Sequence, residues 1–321
     1  MNKQTELIDC GERIDKTPVL QKRFVVPPFS VLDTRQGYWQ ARKREWLALG
    51  IEGELGRGED LLKLEGTMQR KKKYDGKCFG TEGNISEAPG TSIFDPVLCE
   101  LMYKWFCPEG GLILDPFAGE STKGIVAEIL GFKYTGIELR DEQIAANEAQ
   151  AEAMGLKPSW LQGNSEYLDL FLPQGQKYDL VFTSPPYYDL EVYSDAAADG
   201  SAKQTYAEFM EWYRGIFKQA VARLRPNRFL VVKVSEIRDK KTGIYRNFVG
   251  DNITCFNDMG LRYYNEIILV NAVGSLPIRV SRQFEAGRKV GRTHQNILVF
   301  FKGDPGRIKK DFGDGTFKIS E

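Results

Sequence analysis

From about residue 91 onward, short apolar runs alternate with longer stretches of helical periodicity. The runs are "GLILD" (Gly111–Asp115), "KYTGIEL" (Lys133–Leu139), "SWLQG" (Ser159–Gly163), "YDLVF" (Tyr178–Phe182), "RFLVVKVS" (Arg228–Ser235), "LRYYNEIILVN" (Leu261–Asn271) and "QNILVFFK" (Gln295–Lys302). Each has the length and the apolar, β-branched or aromatic content of a buried strand. Between and before them lie the helical stretches Val97–Phe106, Thr122–Gly131, Asp141–Gly155, Tyr206–Leu224 and Asn247–Gly260. Gly131 stops the second of these, and Asp141 and Glu142 open the third, where acids suit the helix dipole. Strands alternating with helices of this length predict an α/β fold, a doubly wound and mostly parallel sheet. No helix is read between the last two strands, so an antiparallel edge hairpin is expected there.

Residues 1–85 read as an irregular, turn-rich extension, and 86–321 as the main domain. Within the extension, Gly37–Gly50 has a helical pattern ended by glycine, with Trp39 and Trp46 on one face for packing. "GKCFGTEGNISEAPG" (Gly76–Gly90) reads as a glycine-rich loop or linker.

Composition narrows the class. Of 321 residues, 42% are hydrophobic and 27% charged, an ordinary globular balance. No apolar run approaches the ~20 residues of a membrane span, and the N-terminus has no apolar core of a secretory signal. The five cysteines are scattered without C-x-x-C spacing, and there is a single histidine, His294. No metal site, disulfide framework or Ser/His hydrolase is expected from that set, and the cytoplasm is the expected compartment. Formal net charge is zero, which argues against a general DNA-coating protein. Basic residues nevertheless cluster in Ala41–Trp46, Gln69–Tyr74 and Arg279–Arg292, and three such runs in a neutral chain make an anionic partner plausible.

Ligands of doubly wound sheets bind beyond the carboxyl ends of the strands. Three strand ends here carry chemistry: "DPFAGEST" (Asp115–Thr122), Glu138, and "TSPPYY" (Thr183–Tyr188). The first is a tight turn before a helix, but it matches neither G-x-G-x-x-G nor G-x-x-x-x-G-K-[ST]. A carboxylate at that turn would repel a pyrophosphate and suits a ligand with a positive charge. An acid at the end of the next strand suits ribose hydroxyls. A nucleoside with a cationic tail meets both demands, and S-adenosylmethionine is such a molecule.

"DPFAG" followed by "TSPPY" resembles the amino-methylating DNA methyltransferases of the N4-cytosine/N6-adenine family, bacterial or bacteriophage type. "GTSIFDP" (Gly90–Pro96) resembles that family's segment holding the methionine part of the cofactor. The resemblance covers about residues 90–302 and implies a Rossmann-like methyltransferase fold binding S-adenosyl-L-methionine. It implies that Asp115, Phe117 and Gly119 line the cofactor, Glu138 holds its ribose, and Asn164 approaches its adenine. Thr91, Ser92, Phe94 and Asp95 would close the site. One departure stands in the cofactor loop, where Ser121 replaces the family's second glycine.

"TSPPY" then takes a chemical meaning. The lone pair of an exocyclic amino group is delocalised into the base, so it reacts only when its hydrogens find acceptors. The Ser184 hydroxyl and the Pro185 carbonyl supply two. Pro185 and Pro186 lock the turn because their φ is preset, and Tyr187 can stack on the base. The base must leave the duplex to reach them. Adenine N6 and cytosine N4 both remain open as targets. DNA contact is expected from Arg279, Arg282, Arg288, Lys289 and Arg292, shared with residues 1–85, because the loop Asp189–Asp199 carries four acids. A homodimer or a partner protein stays open. The rival readings are an RNA or protein amide methyltransferase and a non-catalytic cofactor-binding subunit.

Overall fold

A computed structural model describes residues 23–52, 94–188, 203, 205–274 and 276–313. The expectations on Thr91, Ser92, the 189–199 loop and the 69–74 run lie outside these residues.

Eight strands form one sheet: β1 (Val31–Asp33), β2 (Leu112–Asp115), β3 (Lys133–Glu138), β4 (Ser159–Gln162), β5 (Tyr178–Thr183), β6 (Leu224–Val234), β7 (Arg262–Val270) and β8 (His294–Lys302). Their order is β1-β7-β8-β6-β5-β2-β3-β4. Among these strands β8 alone runs antiparallel to its neighbours. The chain steps outward from β2 to β4, then returns to β5 on the other side of β2. The point where the winding reverses is where ligands of such sheets bind.

The helices are α1 (Gly37–Ala48), α2 (Pro96–Phe106), α3 (Thr122–Ile129), α4 (Asp141–Ala153), α5 (Leu168–Phe171), α6 (Tyr206–Arg223), α7 (Phe248–Asp258), α8 (Leu276–Gly287) and α9 (Ile308–Phe312). Alternate strand residues feed two cores. Ile113, Leu180, Phe182, Phe229, Val231, Ile297, Val299 and Phe301 meet α1, α2, α3 and α4 on one face. Leu114, Val181, Leu230, Val232, Leu298 and Phe300 meet α6 and α7 on the other. A strand buried on both faces has no polar side, which is why these strands read as unbroken apolar runs.

Two details differ from the expectation for the chain's end. β7 and β8 do pair antiparallel, yet β8 lies inside the sheet between β6 and β7, and β1 adds in parallel to the outer side of β7. The connection between them also holds a helix, α8. Almost every residue of α8 is exposed, so no buried stripe marks it in the sequence. Its signal is Leu276, Val280 and Phe284, recurring at four-residue spacing.

The N-terminal residues described here are joined to this sheet. Besides β1, helix α1 lies on α2 through Trp39 and Trp46, both buried. Trp39 Nε1 donates to Asp95 (3.2 Å) and Trp46 Nε1 to Glu100 (2.8 Å). The basic run Ala41–Trp46 serves this contact. Arg42 pairs with the fully buried Glu100 at 2.8 Å, and Lys43 with Asp95 at 3.3 Å.

Candidate active site at the carboxyl rim

β2, β3, β4 and β5 end side by side, and the residues following them converge. The loop after β2 is built on Asp115. Its carboxylate is fully buried, accepts from the Phe117 backbone N–H (3.0 Å) and the Tyr134 hydroxyl (2.8 Å), and is paired with the Lys123 ammonium at 2.5 Å. Lys123 also donates to the Phe117 carbonyl (2.9 Å). Asp115 therefore shapes the loop from inside. Burial, and then the Asp115 charge, pushes the Tyr134 phenol well above its ordinary range, so it stays a donor.

Gly119 stands at φ +59°, a conformation that favours glycine, and no atom lies within 4 Å of where a Cβ would stand. Its N–H donates to Glu138 Oε2 (3.0 Å), while Oε1 accepts from the Arg140 backbone N–H (3.0 Å). The open backbone at Gly119 and the acid at the end of β3 thus face one another, a cradle that fits a cationic nucleoside. Asn164, after β4, caps the turn Ser165–Tyr167 by accepting from Glu166 N (2.9 Å). Ser165 donates to the Pro116 carbonyl (2.5 Å), tying this turn to the Asp115 loop.

Phe94 and Asp95 approach from the start of α2. Asp95 caps that helix, accepting from Val97 N (3.0 Å), and Pro96 takes its first position. The Phe94 ring meets Phe182 of β5 edge-on (5.7 Å), with Lys233 Nζ 4.4 Å and Lys123 Nζ 5.3 Å from its centroid. Its backbone N–H donates to Glu120 Oε1 (3.3 Å). Phe94 thereby joins the loop after β2 to the strand that carries "TSPPY".

Ser184 leaves β5 half-buried, and its hydroxyl donates to the Lys233 carbonyl of β6 (3.3 Å). With its proton directed there, the oxygen presents lone pairs elsewhere. Pro185 and Pro186 follow, both in trans. The Tyr187 hydroxyl accepts from Gln295 Nε2 (3.5 Å), and its ring meets Phe248 edge-on (6.2 Å). Thr183 Oγ1, immediately before Ser184, is buried and without a hydrogen-bond partner among the described residues.

Sequence reasoning passed over Glu120, Lys123, Tyr134 and Lys233. A lysine inside the apolar run "FLVVKV" and an acid beside Gly119 were the available signals. Next to the loop, the Phe117 ring meets Trp212 of α6 (5.7 Å). Trp212 lines an open cavity of about 630 Å³ with Glu166, Glu208, Glu211 and Gln219.

The model of the DNA methylase family matches residues 59–149 and 178–317. The chain belongs to the DNA methylase family. As a member it is an S-adenosylmethionine-dependent methyltransferase. A comparison with curated proteins finds no match. Solved structures similar to this DNA methylase chain include TrmN from Thermus thermophilus, 15% identical over 65% of this chain and 49% of that one, with a TM-score of 0.44. Another is a methyltransferase from Pyrococcus furiosus, 18% identical over 66% of this chain and 85% of that one, with a TM-score of 0.45. The methylase chain spans about half the length of TrmN.

The expected DNA contacts lie on and after α8, beyond the carboxyl end of β7. Arg282 and Arg288 are exposed, and Arg288 stacks on Phe284 (5.2 Å). Lys289 lies against Gly243 of the turn after β6. Arg292 is engaged inward, donating to the His294 carbonyl (3.1 Å) and to Asn296 Oδ1. Of Arg279 only the backbone, within α8, is described.

Proposed function

We propose that this methylase transfers the methyl group of S-adenosylmethionine to the exocyclic amino group of an adenine (N6) or a cytosine (N4) in DNA, with the target base turned out of the duplex. The observation that carries the reading is Ser184. Its hydroxyl proton is committed to the Lys233 carbonyl, and its oxygen stands at the end of β5, the strand that flanks β2 and its cofactor loop. An oxygen acceptor there can take a hydrogen of the amino group and free the nitrogen lone pair. The Pro185 carbonyl is the second acceptor, held by the rigid turn. Tyr187, half-buried, offers a ring for stacking, worth about 1–3 kcal/mol per base.

The cofactor, when bound, supplies an electrophilic methyl on a sulfonium. This chain's residues would bind and orient it: Gly119 would leave the space, Phe117 would line it, Glu138 would take the ribose hydroxyls, and Asn164 would approach the adenine. Asp115 acts through the shape of the loop. Thr91 and Ser92 complete the site in this reading. Rate then comes chiefly from holding nitrogen and methyl in line and away from water. In this reading Arg282, Arg288 and Lys289 would meet the DNA, with Arg279 and part of residues 1–85 sharing the contact, whereas Arg292 is taken by Asn296 and drops out of the expected set.

Incubation with labelled cofactor and DNA, RNA or protein, followed by nucleoside mass spectrometry, tests this. N6-methyladenine or N4-methylcytosine in DNA is the expected product. Label found only in RNA or protein would replace the DNA reading.

A further inference from the structure

One segment at the rim has no part in the site described so far. Residues 235–247 leave the carboxyl end of β6, whose Val232 pairs with Thr183 next to Ser184. The segment folds into a small turn closed by the bridge Arg238–Tyr245. Arg246 N donates to Ile237 O (2.9 Å), Asp239 N to Ile244 O (2.9 Å) and Gly243 N to Asp239 O (2.8 Å). The Asp239 carboxylate accepts from the backbone N–H groups of Lys241 (2.9 Å) and Thr242 (2.7 Å). It also pairs with Arg246 at 2.5 Å. At the base, Glu236 accepts from the first N–H groups of α7, Phe248 and Val249, both at 3.1 Å. These bonds close the turn on itself and fasten it to the start of α7.

It is also tied to the catalytic motif. The Arg246 guanidinium lies over Tyr188 (5.0 Å), the residue after Tyr187, and over Tyr206 (5.4 Å). On the other side, a Cβ on Gly243 would stand 2.1 Å from Lys289 Nζ, so the turn and the segment after α8 are in contact.

The turn displays an aliphatic side chain among cations. Ile244 is 68% exposed and Tyr245 38% exposed, with the Arg238 guanidinium 3.8 Å from the Tyr245 ring centroid. Residues 238–246 hold four basic side chains against one acid, and that acid is consumed inside the turn. An aliphatic side chain held out by a hydrogen-bonded, positively charged turn beside a base-accepting motif fits one partner chemistry. Phosphates would meet the cations, and the interior of a base stack would meet the isoleucine. Proteins that open a duplex insert apolar wedges in this manner.

We propose that Ile244 is the wedge that enters the duplex where the target base leaves it, with Lys241 and Arg238 on the flanking backbone. The inference rests on the DNA reading above. The test uses the full chain with labelled cofactor on two probes of one sequence: plasmid duplex from a methylation-deficient host, and the corresponding single-stranded circle. A wedge is needed only where a base must be unstacked and unpaired, which is least in a single strand. Ile244→Ala should therefore lower the ratio of duplex to single-strand rate about tenfold, and Ile244→Met should restore most of it. A ratio equal to that of the parent overturns the wedge, and so does an equal loss on both probes. If the parent labels neither probe, the DNA reading itself has failed, and the wedge fails with it.

Discussion

Asp115 and Lys123 are 0% and 3% exposed in their side chains, and each is the other's charge partner. Removing one member of such a pair leaves a buried charge without compensation, which costs about 3–5 kcal/mol. Asp115→Ala should lose that much unfolding free energy in denaturant titrations, with cofactor affinity falling because the loop is no longer held. A stability equal to the parent would show that Lys123 finds another partner. Ser184 and Tyr187 belong to a different class of residue. Both are half-buried, and in the proposed function both act on the substrate. Ser184→Ala and Tyr187→Ala should leave cofactor affinity by calorimetry within about twofold of the parent and cut the single-turnover methylation rate. Removing an interaction realised chiefly in the transition state slows the chemical step. Parent-like rates in both variants would place the base pocket elsewhere.

At the scale of elements, α1 is fastened to α2 by two carboxylates, Glu100 and, at the start of α2, Asp95. Glu100 receives both Arg42 Nε and Nη2 (2.8 Å each), Lys104 Nζ (2.9 Å) and Trp46 Nε1 (2.8 Å). Burial by itself would raise the Glu100 carboxyl, but the Arg42 hydrogen bonds and the Lys104 and Arg42 charges outweigh it and hold it below the ordinary glutamate range. A folded-state pKa below the unfolded one gives stability that is fully present above the unfolded value and lost as pH falls through the folded value. The parent should therefore lose stability on acidification below pH ~4.5, and Glu100→Gln should show a shallower loss over the same window. Unfolding free energies measured along a pH series check this, and parallel curves would remove Glu100 from the linkage. The same clamp holds Asp95 through Trp39 and Lys43, so α1 also supports the start of α2, beside Phe94.

For the whole molecule, a neutral chain binds a polyanion only by gathering its cations on one side. The carboxyl rim gathers cations in this way: Arg282 and Arg288 of the α8 segment and Lys289 follow β7, and Lys241 and Arg238 belong to the turn after β6, with β8 between the two strands. Arg282→Ala with Arg288→Ala should flatten the logarithmic salt dependence of DNA affinity by up to about 0.9 for each phosphate no longer neutralised. An unchanged slope would move DNA binding to the N-terminal residues. The sequence by itself determined the elements that are buried, and the rim, but not the edge strand β1 or the exposed helix α8. Periodicities of 2 and 3.6 are local properties, and strands buried on both faces announce themselves as apolar runs. Asp115, Glu138 and Ser184 fall at strand ends whatever the strand order. Only the tertiary structure decided which charges are consumed and which are presented. Arg42 reads as part of a basic run until Glu100, 58 residues away, is placed against it. Arg292 reads as a DNA-binding residue until Asn296 takes it, and the Asp115 loop reads as a charge facing a ligand until Lys123 turns inward. Strand order was likewise undecided locally, because β8 is placed between β6 and β7 by two ladders joining residues dozens of positions apart. Side-chain pairing across such distances depends on the packing of whole layers, and no spacing along the chain encodes it.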